Sequence, residues 1–96
     1  MEKAKLIKLE FEKMLKMYQR YYNGEFGGDD IEYITLSKIG IYNHMAKQFN
    51  TLESIDTQII VFSEGYYCKN NKVATMVLLF QIESAINQLE QIIKNN

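Results

Sequence analysis

Asn50 to Tyr67 reads NTLESIDTQIIVFSEGYY, and its interpretation decides the fold. Two patterns compete in it. Leu52, Ile55, Ile59, Phe62 and Tyr66 recur at spacings of three and four, which would place them on one face of a helix. The cluster QIIVF, Gln58 to Phe62, has the local composition of a strand. The three-four period extends over more residues, so a helix is expected over about Thr51 to Tyr67. Asn50 and Glu53 have capping-box spacing, with asparagine as the cap. Gly65 and the polar run Lys69 to Asn71 mark its fraying end and the following turn.

Three further segments flank it. Downstream, a helix is expected over about Lys72 to Lys94. Leu79, Ile82, Ile86, Leu89 and Ile93 form one face, and Val73, Val77 and Phe80 form a second apolar stripe. Upstream, Ile31 to Phe49 reads as a helix with Ile34, Ile41, Met45 and Phe49 inward. Its start, IEYITL, is rich in β-favouring residues, and Gly40 weakens helical continuity, so residues 31–40 admit a short strand or a helix bend. The first segment, about Glu2 to Tyr22, has the clearest period. Ala4, Ile7, Phe11, Met14, Tyr18 and Tyr21 share a face, and Glu12 precedes Lys16 in the order that favours ion pairing along a helix. The expected fold is all-α: a four-helix bundle with antiparallel neighbours in a single domain, residues 1–96.

Between the first two helices lies YQRYYNGEFGGDD, Tyr18 to Asp30. Asn23-Gly24 suits a helix C-cap, and Asp29 or Asp30 suits the next N-cap. No GxGxxG is present and no glycine pattern leads into Lys-Ser/Thr, so neither phosphate motif is met. The carboxylates lack the spacing of the twelve-residue calcium loop.

The totals narrow the function classes. In 96 residues, 47% hydrophobic and 24% charged describe one globular domain. A net charge of -1 argues against a general nucleic-acid binder. Cys68 is the sole cysteine, so no intrachain disulfide can form and the usual thiols of a structural zinc site are lacking. That chemistry fits a reducing cytoplasm. No leader sequence is expected, because charged and apolar residues alternate at the N-terminus, and no apolar run is long enough to span a bilayer.

No catalytic constellation emerges. His44, the only histidine, has no acid or thiol three or four residues away. Cys68 lies near an expected helix C-terminus, the wrong end for lowering a thiol pKa. The expectation is a non-enzyme with no cofactor and no metal. Tyrosine and arginine favour interfaces, and Arg20 is the only arginine, set among tyrosines. Tyr18, Arg20 and Tyr22, joined by Tyr66 and Tyr67, are therefore the candidate partner-binding residues. Through Arg20 the first helix holds six basic and three acidic residues, whereas Glu25 to Glu32 holds four acids and no base. Such a dipolar layout can orient another protein or a second copy in a homodimer.

The function read from these features is a small protein-binding module: a regulator, inhibitor, immunity factor, chaperone or assembly subunit. The alternative is a helix-turn-helix DNA-binding regulator cut from Tyr42 to Tyr67. Against it, the second helix would carry Glu53, Asp56 and Glu64 with no basic residue before Lys69.

Overall fold

Helix α1 spans Glu2–Tyr22 and buries the stripe its sequence announces: Ala4, Ile7, Phe11, Met14 and Tyr18. The computed structural model describes residues 2–22, 30–63 and 71–95, with side chains described throughout except at Tyr21, Tyr22, 30–38 and 71–74. The Asn23-Gly24 cap and the glycines after it lie outside the described residues. Glu2 in the first turn of α1 and Arg20 in the last complement the helix dipole. Its described ion pairs are Lys8 with Glu12 and Lys13 with Glu10, both at 3.5 Å, rather than the expected Glu12–Lys16.

Helix α2 spans Asp30–Asn50 as one helix, so the β-favouring start adopts no strand. Its core face is Ile39, Tyr42, Ala46 and Phe49. The expected face is rotated: Ile41 points outward and Met45 is half-buried. Aromatic packing explains the rotation. The Phe11 ring lies 6.3 Å from both Tyr42 and Phe49, and Tyr42 lies 5.5 Å from Phe62. Gly40 is on the outer side, and a Cβ built there meets nothing within 4 Å. Gly40→Ala should therefore remove only the backbone entropy that glycine adds to unfolding. We expect a gain of about 0.5–1 kcal/mol, read as a raised Tm in a thermal melt.

Helix α3 spans Asn71–Lys94 and buries Thr75, Leu78, Ile82, Ala85, Ile86 and Leu89. It packs chiefly on α1, which also packs on α2. Lys3 Nζ donates to Thr51 Oγ1 at 3.2 Å, and further along Met14 and Met17 meet Ile41. Those contacts make α1 and α2 antiparallel.

The principal correction concerns the third expected helix. Residues 51–63 are not helical, and the all-α domain has three helices among the described residues, not four. Beyond α2, the Thr51 and Leu52 amides close one last turn onto the carbonyls of Gln48 and Phe49, and Ser54 adopts a left-handed φ of 69°. The chain then runs back along α2 and α3 without regular secondary structure. The helix-turn-helix reading thereby loses its second helix over 51–63.

Side-chain amides hold this segment in place. Asn50 accepts from the Ile59 amide at 2.8 Å and donates to the Ile59 carbonyl at 3.0 Å. Asn43 does the same for Phe62, at 3.0 and 3.1 Å. From α3, Gln88 Oε1 accepts from the Asp56 and Thr57 amides at 2.8 and 3.1 Å, while its Nε2 donates to the Thr57 carbonyl at 3.1 Å. Gln81 accepts from the Ile60 amide at 3.0 Å, and the Tyr42 hydroxyl donates to the Ile60 carbonyl at 2.7 Å. A primary amide carries the same donor and acceptor as a peptide unit, so these side chains replace the missing backbone partners.

The spacing follows from geometry. Asn43 and Asn50 are seven residues apart, as are Gln81 and Gln88. Seven helical residues rise about 10.5 Å. Three extended residues cover about 9–10 Å, matching the steps from Ile59 to Phe62 and from Thr57 to Ile60. In both pairs the higher helix number meets the lower segment number. The segment therefore runs antiparallel to α2 and to α3, and those two helices are parallel to each other. The expected antiparallel order of neighbours is corrected at this pair.

A pleated strand would turn Ile59 and Phe62 to opposite sides. Both are buried, while Ile60 and Val61 between them are exposed. That three-residue step is the one an extended, polyproline-II-like chain would give.

Candidate protein-docking surface

The pinned segment fixes what lies on its outer side. Ile59 and Phe62 are locked inward, so Ile60 and Val61 are held outward beside α3. With Phe62, Ser63 and Val77 they line a shallow groove of about 420 Å³. One helical step away, Met76, Leu79, Phe80 and Glu83 line a second hollow of about 250 Å³. Phe80 is 68% exposed. The second apolar stripe expected on this helix divides: Val77 is half-buried against the core, whereas Phe80 points away from the buried face centred on Leu78, Ile82 and Leu89, and the Val73 side chain lies outside the described residues. An apolar strip runs from Ile60 and Val61 across Val77 to Met76 and Phe80. Gln58 and Val61, both exposed, make no hydrogen bonds among the described residues.

Of the five residues expected to bind a partner, the structure describes the side chains of two. Tyr18 is 1% exposed and belongs to the core. Arg20 is exposed and takes part in an interaction of its own. Tyr22 is the last residue of α1, but its side chain lies outside the described residues, as do Tyr66 and Tyr67 altogether. The described structure brings none of these five together.

The described tyrosines instead divide by chemistry. Burial pushes the phenols of Tyr18 and Tyr42 well above the ordinary tyrosine range. Tyr42 spends its hydroxyl on the Ile60 carbonyl, whereas the buried Tyr18 hydroxyl has no hydrogen-bond partner among the described residues. An unsatisfied buried hydroxyl destabilises, so Tyr18→Phe should raise stability by about 1 kcal/mol. Tyr42→Phe should lower it by about 1 kcal/mol, because the Ile60 carbonyl loses its donor. Parallel urea titrations would compare the two. A loss of stability in Tyr18→Phe would show that the hydroxyl is satisfied in solution.

His44 is exposed on α2, and Cys68 lies outside the described residues. Among the described residues, no group of three or more His, Cys, Asp or Glu is placed to hold a metal ion. No described helix is long and apolar enough to cross a membrane.

Sequence reasoning missed Ile60, Val61, Met76 and Phe80 as surface residues. The signal that could have found them is the pair of amides at spacing seven on each of two amphipathic helices. Comparison with known protein families, with curated proteins and with solved structures finds no match to this chain.

Proposed function

We propose that this protein is a small protein-binding module, and that the strip formed by Ile60, Val61, Met76, Val77 and Phe80 is its docking surface. The observation that carries the reading is the exposure of Phe80 within a continuous apolar strip on a domain whose core is complete without it. An aromatic set among aliphatic neighbours is the usual anchor of an interface. A small-molecule pocket would combine enclosure with a few convergent polar groups; here the hollows are shallow and lined mainly by aliphatic side chains. The occupant in this reading is another protein that seats an apolar side chain in the groove between Val61 and Val77. The module acts by occupancy rather than catalysis, needs no cofactor, and is assigned to the cytoplasm.

Phe80→Ser tests the reading. The residue is exposed, so the melting curve should hold while affinity for a partner isolated with the wild-type protein falls at least tenfold. Sedimentation of the purified protein identifies the case in which the occupant is a second copy. Equal affinity for the partner in both proteins would contradict the reading.

A further inference from the structure

The solvent face of α1 has a different character from the strip on α3. Lys5, Leu6, Leu9, Lys13 and Lys16 are all exposed, opposite the buried Ala4–Tyr18 stripe. Leu6 is 62% exposed and Leu9 48%. Helical spacing sets them in two adjoining columns: Lys5, Leu9 and Lys16 in one, Leu6, Lys13 and Arg20 in the other. The acids of α1 lie mostly to the side. Glu10 and Glu12 are half-buried on its flanks, where they pair with Lys13 and Lys8 at 3.5 Å, and Glu2, at the helix start, is exposed. A chain of net charge -1 thus concentrates cations around two exposed leucines on one helix face.

We infer that this face docks an acidic amphipathic segment of another protein, one in which carboxylates flank large apolar side chains. Both chemistries of the face select that occupant. Nucleic acid would satisfy the lysines but set Leu6 and Leu9 against phosphates, at a desolvation cost with no apolar partner. An anionic membrane demands a broad apolar face to insert, and the broad face of α1 is already buried in the core. Carboxylates opposite Lys5 and Lys16, with apolar groups between them against Leu6 and Leu9, match the cations and the leucines of the face. Charge complementarity of this kind speeds encounter and fixes orientation. The surface lies on a different helix from Phe80, so the inference stands or falls independently of the docking strip.

The test uses the full chain and two synthetic helical peptides, one a leucine–glutamate repeat and one its leucine–glutamine counterpart, followed by fluorescence anisotropy. Phosphatidylserine vesicles and duplex DNA form separate arms. The expected result is binding of the glutamate peptide at least tenfold tighter than the glutamine peptide, weakening as salt is raised. The double variants Lys5→Gln/Lys16→Gln and Leu6→Ser/Leu9→Ser should each lose at least tenfold with nearly unchanged circular dichroism and melting. Equal binding of the two peptides, an unchanged affinity in the lysine variant, or preferential binding to vesicles or DNA would overturn it.

Discussion

Asn50→Ala is expected to lower the free energy of unfolding by about 2–4 kcal/mol, a large effect for a residue that ends a helix. Ile59 is buried, and both of its backbone polar groups are bonded to the Asn50 side chain. Removing that amide leaves a donor and an acceptor unpaired together, and each costs about 1–3 kcal/mol where water cannot replace the partner. The segment can move outward to recover water, but it must then expose Ile59, so the loss is limited rather than avoided. Asn50→Asp separates the two bonds: a carboxylate still accepts from the Ile59 amide but faces the Ile59 carbonyl with no donor. It should also destabilise. Lys47→Ala, on the exposed side of the same helical turn, should change stability by less than about 0.5 kcal/mol. Urea unfolding of the three variants measures the contrast. Similar midpoints for Asn50→Ala and Lys47→Ala would mean that the clamp contributes nothing.

Phe11→Ala should cost still more, about 3–5 kcal/mol, by opening a cavity where three elements meet. Its ring is fully buried and packs edge-on to Phe49 and tilted to Tyr42, joining α1 to α2. Tyr42 in turn touches Phe62 of the extended segment, so the same aromatic chain reaches the fourth element of the core. Domains of this size commonly hold about 5–15 kcal/mol in total, so much of the folded population is at stake. Phe80→Ala, the same change on the open face of α3, should stay within about 0.5 kcal/mol. A denaturant midpoint that falls as far for Phe80→Ala as for Phe11→Ala would place Phe80 in the core and remove the proposed docking strip.

The two phenylalanines also show what the sequence could convey. For α1, the inward stripe Ala4, Ile7, Phe11, Met14 and Tyr18 is unambiguous, because one face only is apolar and nothing competes with it. On α3 the first half is apolar nearly all round. Periodicity cannot choose a face there, because Val73, Val77 and Phe80 form a stripe beside that of Leu79, Ile82 and Ile86, and nothing in the spacing marks Phe80 as exposed. The segment after α2 misled for a sharper reason. Its burial was legible: Ile59 and Phe62 are core residues, with Leu52 and Ile55 packed beside them. Its backbone was not. A step of three from Ile59 to Phe62 is common to a helix and to a polyproline-II-like chain, and only partners distant in sequence decide between them. Those partners, Asn43 and Gln81, are nineteen and twenty-one residues away and look like ordinary polar positions on their helices. Asn50 was read as a cap for a following helix, when its amide instead serves the backbone of Ile59. Tyr18 shows the same limit. Tyr18 lies in the buried stripe of α1, and its ring was assigned to a surface because tyrosine is common at interfaces.

The pinned extended segment is what turns Ile60 and Val61 outward beside Phe80, so its conformation is the central claim. Residue-resolved amide hydrogen exchange over residues 56–62 tests it directly. An interrupted pattern is expected: slow exchange at Asp56, Thr57, Ile59, Ile60 and Phe62, whose amides are bonded to side-chain oxygens, and fast exchange at Gln58 and Val61. Continuous protection across all seven positions would indicate a helix, and uniformly fast exchange would indicate that the clamps do not hold; either result would contradict the account.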